Sequence, residues 1–263
     1  MKRLLSLLIL GLMSSATMAA VVGHEVEYKS GATVLKGYIA WDDAIKGKRP
    51  GVLVVHEWWG LNDYARKRAH MLAEMGYTAM ALDMYGNGKQ AMHPDDAGKF
   101  ATEAKKNMAV AKARFDAAKN LLQQQPTVDP KHIAAIGYCF GGGIVLEMMR
   151  RGENLAGVAS FHGSLPGTTV AKPGSIETKV LVLNGADDPF TTPEQIAAFK
   201  QEMETAKIDY RFINYPGAKH SFTNPEADKY GKEFNMPLAY NAEADANSWQ
   251  ELEMFLKEIF KKK

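Results

Sequence analysis

The sequence predicts an α/β fold, a mostly parallel sheet with helices packed on both faces. Three observations carry this. Short, nearly continuous apolar runs recur at residues 51–55, 78–82, 132–136, 155–161 and 179–183, as expected of strands buried on both faces. Segments with helical spacing lie between them. Residues able to do chemistry gather just after the runs end, and a parallel sheet binds its ligands at those carboxyl ends.

The first nineteen residues stand apart. Met1-Lys2-Arg3, an apolar run at 4–13 and small residues at 14–19 read as a secretory signal peptide with cleavage after Ala19. The run is too short to span a bilayer as a helix. An exported protein, periplasmic or secreted, is therefore expected, with residues 20–263 as a single domain and no stable membrane insertion after cleavage. Alternating runs around Ser30 and Gly31 within 22–41 predict a β-hairpin. The strand at 51–55 ends in His56-Glu57-Trp58-Trp59-Gly60. A helix over 63–76 follows, with Ala65, Ala69, Leu72 and Ala73 inward and Gly76 at its C-terminus. The strand at 78–82 ends in Asp83-Met84-Tyr85. Phe100, Ala104, Met108, Ala111, Phe115, Ala118 and Leu122 recur at steps of three and four, predicting one long helix over 95–124. A strand at 132–136 and a helix from Ile144 flank a glycine-rich turn, and the strand at 155–161 ends at His162. A loop rich in Gly, Pro and Thr covers 164–175, and the strand at 179–183 leads to Asp187 and Asp188. Thr192, Pro193 and Gln195 supply an N-cap, a first-turn proline and a capping-box glutamine. The strand at 209–215 leads to His220, and a final helix covers about 239–260.

A net charge of +2 gives no argument for nucleic acid, and the lysines at 261–263 read as a solvated tail. A monomer is expected, though the sequence carries no signal for the oligomeric state. No His-x-x-x-His or comparable ligand spacing appears, so neither metal nor organic cofactor is expected. The chain has one cysteine. An exported protein cannot use a single cysteine for an internal disulfide, which makes Cys139 a candidate reactive thiol.

Cys139 sits in Gly137-x-Cys139-x-Gly141, the spacing of a nucleophile elbow with Cys in place of Ser. The nucleophile stands on a tight turn where flanking side chains would collide, and the following helix points its N-terminus at the thiol, favouring thiolate. A glycine-rich turn around a buried cysteine is the bland alternative. Cys139, Asp188 and His220 follow three different strands in the order nucleophile, acid, base, the order of an α/β-hydrolase triad. His220 is the best base of seven histidines because it follows the last strand; His56 and His162 occupy the same sheet edge and are its rivals, and His93, in a loop, is not set aside by position alone. Asp188 is favoured over Asp187 because Phe190 and the helix start at Pro193 follow it in the usual acid loop.

Here a resemblance becomes specific. His56-Glu57-Trp58-Trp59-Gly60-Leu61-Asn62, Asp83-Met84-Tyr85, Gly137-Tyr138-Cys139-Phe140-Gly141-Gly142, Asp188-Pro189-Phe190 and His220-Ser221-Phe222 together resemble the dienelactone hydrolase family, a branch of the α/β hydrolases. The resemblance implies an α/β-hydrolase fold with Cys139 as nucleophile, His220 as base and Asp188 as its orienter. It implies that Glu57 contacts the resting thiol and sets its protonation; a structural ion pair or a cap on the helix at Asp63 is the alternative. It implies an oxyanion hole from the amides of Phe140 and Trp58. Trp58, Trp59, Tyr85, Phe140, Phe190 and Phe222 suggest an aromatic-lined pocket. The family's type enzyme holds a substrate carboxylate with two arginines, and Asn87 and Asn224 stand in those neighbourhoods here. Asparagine cannot form the bidentate charged pair, so neutral esters or lactones are expected to be preferred, with Lys89 the nearest substitute cation.

The reading is an exported hydrolase cleaving a small-molecule ester or lactone through an acyl-thioester. A general carboxylesterase or thioesterase of the same fold and a non-catalytic binding scaffold are its rivals. A thiol redox protein is disfavoured, since no resolving cysteine exists.

Overall fold

Residues 21–174 and 176–261 are described in the structure, a computed structural model; the expected signal peptide at 1–19 lies outside the described residues. In chain order the elements are β1 (Val21–Ser30), β2 (Thr33–Asp42), β3 (Arg49–Val55), α1 (Asp63–Glu74), β4 (Thr78–Leu82), α2 (Pro94–Lys106), α3 (Met108–Gln123), β5 (Val128–Tyr138), α4 (Phe140–Arg150), β6 (Gly157–Phe161), β7 (Lys179–Gly185), α5 (Pro193–Ala206), β8 (Tyr210–Tyr215), α6 (Ala227–Glu233) and α7 (Ala242–Ile259). The strands form one sheet in the order β1-β2-β4-β3-β5-β6-β7-β8. The hairpin β1–β2 is antiparallel and β2 runs antiparallel to β4. Every pairing from β4 through β8 is parallel. This is the mostly parallel α/β-hydrolase sheet that the sequence predicts.

Successive side chains of a strand face opposite ways, and β3 shows why its sequence is apolar throughout. Val52 and Val54 face the apolar layer on one side of the sheet, which includes Tyr64 and Leu72 of α1 and Phe255 of α7. Leu53 and Val55 face the apolar layer on the other side, which includes Phe115 of α3, Ile144 of α4 and Phe199 of α5. Both faces are covered, so neither can carry polar side chains without cost. In α1 the inward residues Ala65, Ala69, Leu72 and Ala73 are buried, Asn62 caps the start and Gly76 follows the end with φ +90°. In α5 the Thr192–Gln195 capping box forms as its sequence predicts.

The predicted long helix over 95–124 is two helices. The chain breaks at Asn107 (φ −122°, ψ 75°), whose side chain accepts a hydrogen bond from the Val110 amide and caps α3. The apolar spacing continues across the break, so periodicity alone misses it. The signal was the asparagine, which competes for backbone donors inside a helix and favours a cap. Helix α6 was not expected; it is one short helix in the segment after His220, and its Tyr230 packs on Trp59. The last helix starts at Ala242, where Asn241 caps it.

Candidate active site

The carboxyl ends of β3, β5, β6, β7 and β8 deliver Glu57, Cys139, His162, Asp188 and His220 to one edge of the sheet. Cys139 lies between β5 and α4 with φ 52° and ψ −113°. Positive φ in a residue with a Cβ costs about 1–3 kcal/mol and persists only where the surroundings enforce it. The glycines here are a packing requirement. A Cβ on Gly137 would lie 2.1 Å from the Gly141 carbonyl oxygen, and one on Gly141 would lie 2.3 Å from the Val55 carbonyl oxygen. Those partners are backbone and cannot turn away.

The Cys139 sulfur faces His220, with Nε2 to Sγ at 3.1 Å. On the other side of the ring, Nδ1 lies 2.8 Å from Asp188 Oδ2. Asp188 Oδ1 accepts a hydrogen bond from the Phe190 amide at 2.8 Å, which fixes the carboxylate plane. Asp188 is buried, whereas Asp187 is exposed, so burial and contact both single out Asp188. Burial opposes a charge on His220, but the Cys139 sulfur and the Asp188 carboxylate outweigh it and push its pKa up to about 10. An imidazolium beside sulfur favours thiolate, and a protonated ring can later release its proton to a leaving group.

The rivals of His220 are both occupied. His56 is fully buried; its Nδ1 donates to the Glu57 carbonyl and its Nε2 accepts from the Met84 amide at 3.2 Å, tying the end of β3 to the end of β4. His162 Nδ1 accepts from the Cys139 amide at 3.1 Å, and Nε2 meets Thr223 Oγ1 at 2.8 Å. Burial holds the pKa of each below the usual histidine range. Neither has a nitrogen free for a substrate.

Glu57 departs from the contact that the resemblance implies. Its oxygens accept from Ser221 Oγ at 3.1 Å and Asn224 Nδ2 at 2.6 Å, so the carboxyl braces the loop that carries His220, while the sulfur faces the imidazole. Burial raises its pKa, against the hydrogen bond from Asn224 and the charge of His220.

A cavity of about 290 Å³ opens on Cys139 and His220. Trp58, Phe140 and Phe190 line it, as expected. Phe140 is the first residue of α4, where an amide has no partner inside the helix, and Cys139 gives it no side-chain cap. The Trp58 carbonyl is anchored by the Tyr85 hydroxyl at 2.9 Å. Five expected pocket residues do not line the cavity. Trp59 is buried against Tyr230 and Phe234. Tyr85 is buried behind Phe140 and reaches only the Trp58 carbonyl. Phe222 is buried against His162 and Tyr215. Asn224 is taken by Glu57. Asn87 is exposed in a left-handed turn beside β2, with its amide on the Val34 carbonyl. Large aromatic side chains near a strand end serve equally as core, and sequence alone does not separate the two uses.

Residues the sequence reading missed take their place. Ala101 and Lys105 of α2, Ser164, Thr191, Met236 and Leu238 all line the cavity. Ala101 and Lys105 are spaced i, i+4 on one helix face, which was available as a signal. Lys89, the expected substitute cation, instead lies over the Phe100 ring in a neighbouring cleft. A larger cleft of about 800 Å³ sits at the amino ends of β5, β6 and β7, the end of a parallel sheet that does not bind ligands. Among the described residues, no group of three His, Cys, Asp or Glu side chains is arranged to hold a metal ion, and no helix is long and apolar enough to cross a membrane.

Comparison with known proteins agrees with this architecture. The model of the dienelactone hydrolase family matches residues 35–260. Protein usf of Aquifex pyrophilus is 28% identical over 211 residues, which cover 79% of this chain and 90% of that protein. A solved dienelactone hydrolase-like promiscuous phosphotriesterase from metagenomic libraries is 38% identical, covers 91% of this chain and 99% of its own, and superposes with a TM-score of 0.86. A solved dienelactone hydrolase from Anabaena variabilis is 19% identical with a TM-score of 0.57, covering 82% of this chain and 95% of that one; this likeness bears on fold alone.

Proposed function

The chain belongs to the dienelactone hydrolase family of the α/β hydrolases, a hydrolase acting on ester or lactone bonds, and from that premise we propose that it cleaves its substrate through an acyl-thioester on Cys139. The observation that carries the reading is the chain of contacts from Asp188 through His220 to the Cys139 sulfur. The thiolate attacks the carbonyl carbon, and the new oxyanion is held by the Phe140 and Trp58 amides. The tetrahedral intermediate collapses with scission of the carbon–oxygen bond, and the His220 imidazolium gives its proton to the departing alkoxide. A lactone stays tethered at this step because its alkoxide belongs to the acyl group. Neutral His220 then takes a proton from water, the hydroxide adds to the thioester, and the second intermediate expels the thiolate with the carboxylic acid as product. Asp188 holds the ring with its proton on Nδ1 and stabilises the imidazolium.

The cavity suits a small, mainly apolar acyl group. We also propose export, supported by the basic start, the apolar run at 4–13 and the small residues before Ala20. The solved relative described as a promiscuous phosphotriesterase adds a second probe, since a thiolate can also attack phosphorus; an aryl dialkyl phosphate would leave its phosphoryl group on Cys139. The test is turnover of a panel of activated esters, thioesters and lactones by wild type and Cys139→Ala. Loss of on the order of a thousandfold or more in the variant supports the reading. Full activity in Cys139→Ala excludes it, and a folded wild type inert on every compound favours a binding scaffold.

A further inference from the structure

Cys139 and His220 follow β5 and β8, which have two strands between them in the sheet, yet their reactive atoms stand 3.1 Å apart. His162, at the end of β6, spans this gap. Its Nδ1 lies 3.1 Å from the Cys139 amide nitrogen, whose hydrogen is shared with the Phe161 carbonyl at 3.0 Å. A backbone amide can only donate, so Nδ1 carries no proton, and the proton of the neutral ring is on Nε2. Nε2 donates to Thr223 Oγ1 at 2.8 Å. Thr223 follows His220 by three residues on the same loop. Its hydroxyl meets the Tyr64 hydroxyl at 2.6 Å, and its carbonyl accepts from Arg68 Nη2 at 2.7 Å. Arg68 is itself held by Asp245. His162 is buried and, like Cys139, adopts positive φ, at 40°.

We propose that His162 is a positioning residue of the reaction, a neutral imidazole that ties the backbone of the nucleophile to the loop of the base and so sets the sulfur-to-imidazole distance. This rests on the roles given to Cys139 and His220 above. The ring cannot serve as a second base, because both nitrogens are engaged. Protonation would break the device, since Nδ1 would then present a donor to the Cys139 amide. The surroundings prevent that. Burial, then the charges of His220 and Arg68, hold its pKa well below the usual histidine range. Its other neighbours are the rings of Tyr138 and Phe222.

Two measurements on the intact protein test this. Nitrogen-15 NMR of the histidines between pH 5 and 9 should show His162 with its proton on Nε2 and no titration. A proton on Nδ1, or a midpoint in that range, overturns the proposal, and this readout holds whether or not Cys139 is the nucleophile. Kinetics give the second. His162→Phe keeps a ring without an acceptor and should lower kcat by about tenfold or more with KM nearly unchanged. His162→Asn places an amide oxygen near the position of Nδ1 and should recover most of that loss. Thr223→Val cuts the far end of the bridge and should lower kcat several-fold, which keeps the test open if His162→Phe does not fold. Wild-type kcat in His162→Phe or in Thr223→Val, or equal loss in folded Asn and Phe variants, overturns the proposal.

Discussion

Replacing Asp188 with Asn exchanges one oxygen for NH₂ and, on this geometry, reverses the polarity of the His220 ring. Asp188 Oδ1 is committed to the Phe190 amide at 2.8 Å, and an amide nitrogen there would set donor against donor. The asparagine oxygen therefore stays on Phe190 and its NH₂ turns to His220 Nδ1. A ring nitrogen facing a donor must accept, so the His220 proton moves to Nε2 and points at the sulfur. The ring then cannot take the thiol proton, nor can the imidazolium be stabilised by a carboxylate. In a serine-protease triad the same change costs about 10⁴ in kcat. A loss of about 10³–10⁴ in kcat/KM is expected here, or about 4–5.5 kcal/mol at about 1.36 kcal/mol per tenfold. Both hydrogen bonds of residue 188 survive, but the carboxylate charge that helps to hold His220 protonated is gone, so the variant should fold yet melt at a lower temperature than wild type at neutral pH. The assay is burst kinetics on an aryl ester, with iodoacetamide alkylation of Cys139 at pH 7 as a second reading of thiolate. A folded Asp188→Asn variant within tenfold of wild type on both assays would refute this account of the ring. The pH dependence carries a sign as well. His220 is raised to about 10, so its stabilising contribution is complete below its ordinary value near 6.5 and is lost as pH rises through about 10; Asp188→Asn should move that loss to lower pH.

Two further outcomes follow from the cavity and from Glu57. Among the described residues lining the cavity, Lys105 is the only lysine or arginine, and no Asp or Glu is present, which revises the expectation that neutral substrates are preferred. Lys105→Ala should lower kcat/KM for a carboxylate-bearing lactone relative to its methyl ester by about three- to fivefold, the size of an exposed charge pair, whereas Lys89→Ala should leave the ratio alone; an unmoved ratio in Lys105→Ala would remove the lysine from substrate recognition. Glu57 has its pKa raised by burial, so ionising it in the folded state costs stability as pH rises from its ordinary value through the raised one. Glu57→Gln can keep both hydrogen bonds, with its oxygen on Asn224 and its NH₂ on Ser221, and its urea midpoint should gain on wild type as pH rises from 4.5 to 8. Parallel midpoint curves would show that the carboxyl is not desolvated.

The fold was legible because its cues are local. Apolar runs such as 51–55, the capping box at Thr192 and the glycines about Cys139 each specify their own element. The same holds for the strand-end positions of Cys139, Asp188 and His220. What periodicity could not show was the break at Asn107, since the inward spacing runs through it. Pocket lining was less legible still. Trp59, Tyr85 and Phe222 are aromatic and near strand ends, yet whether such a ring faces a cavity or the core depends on partners far away in sequence, such as Tyr230 of α6. Asn224 shows the same dependence. Its sequence position suggested a substrate contact, but a buried carboxylate at Glu57, 167 residues away, needs a donor more than the cavity does.

The most direct test of the central claim is the mass of the intact protein, quenched in acid within the burst of an activated aryl ester. Wild type should carry one acyl group, mapped by proteolysis to Cys139 and released by hydroxylamine, and Asp188→Asn should acquire it far more slowly. An acyl group on another residue, or full turnover by Cys139→Ala, would contradict the assignment of Cys139 as the nucleophile.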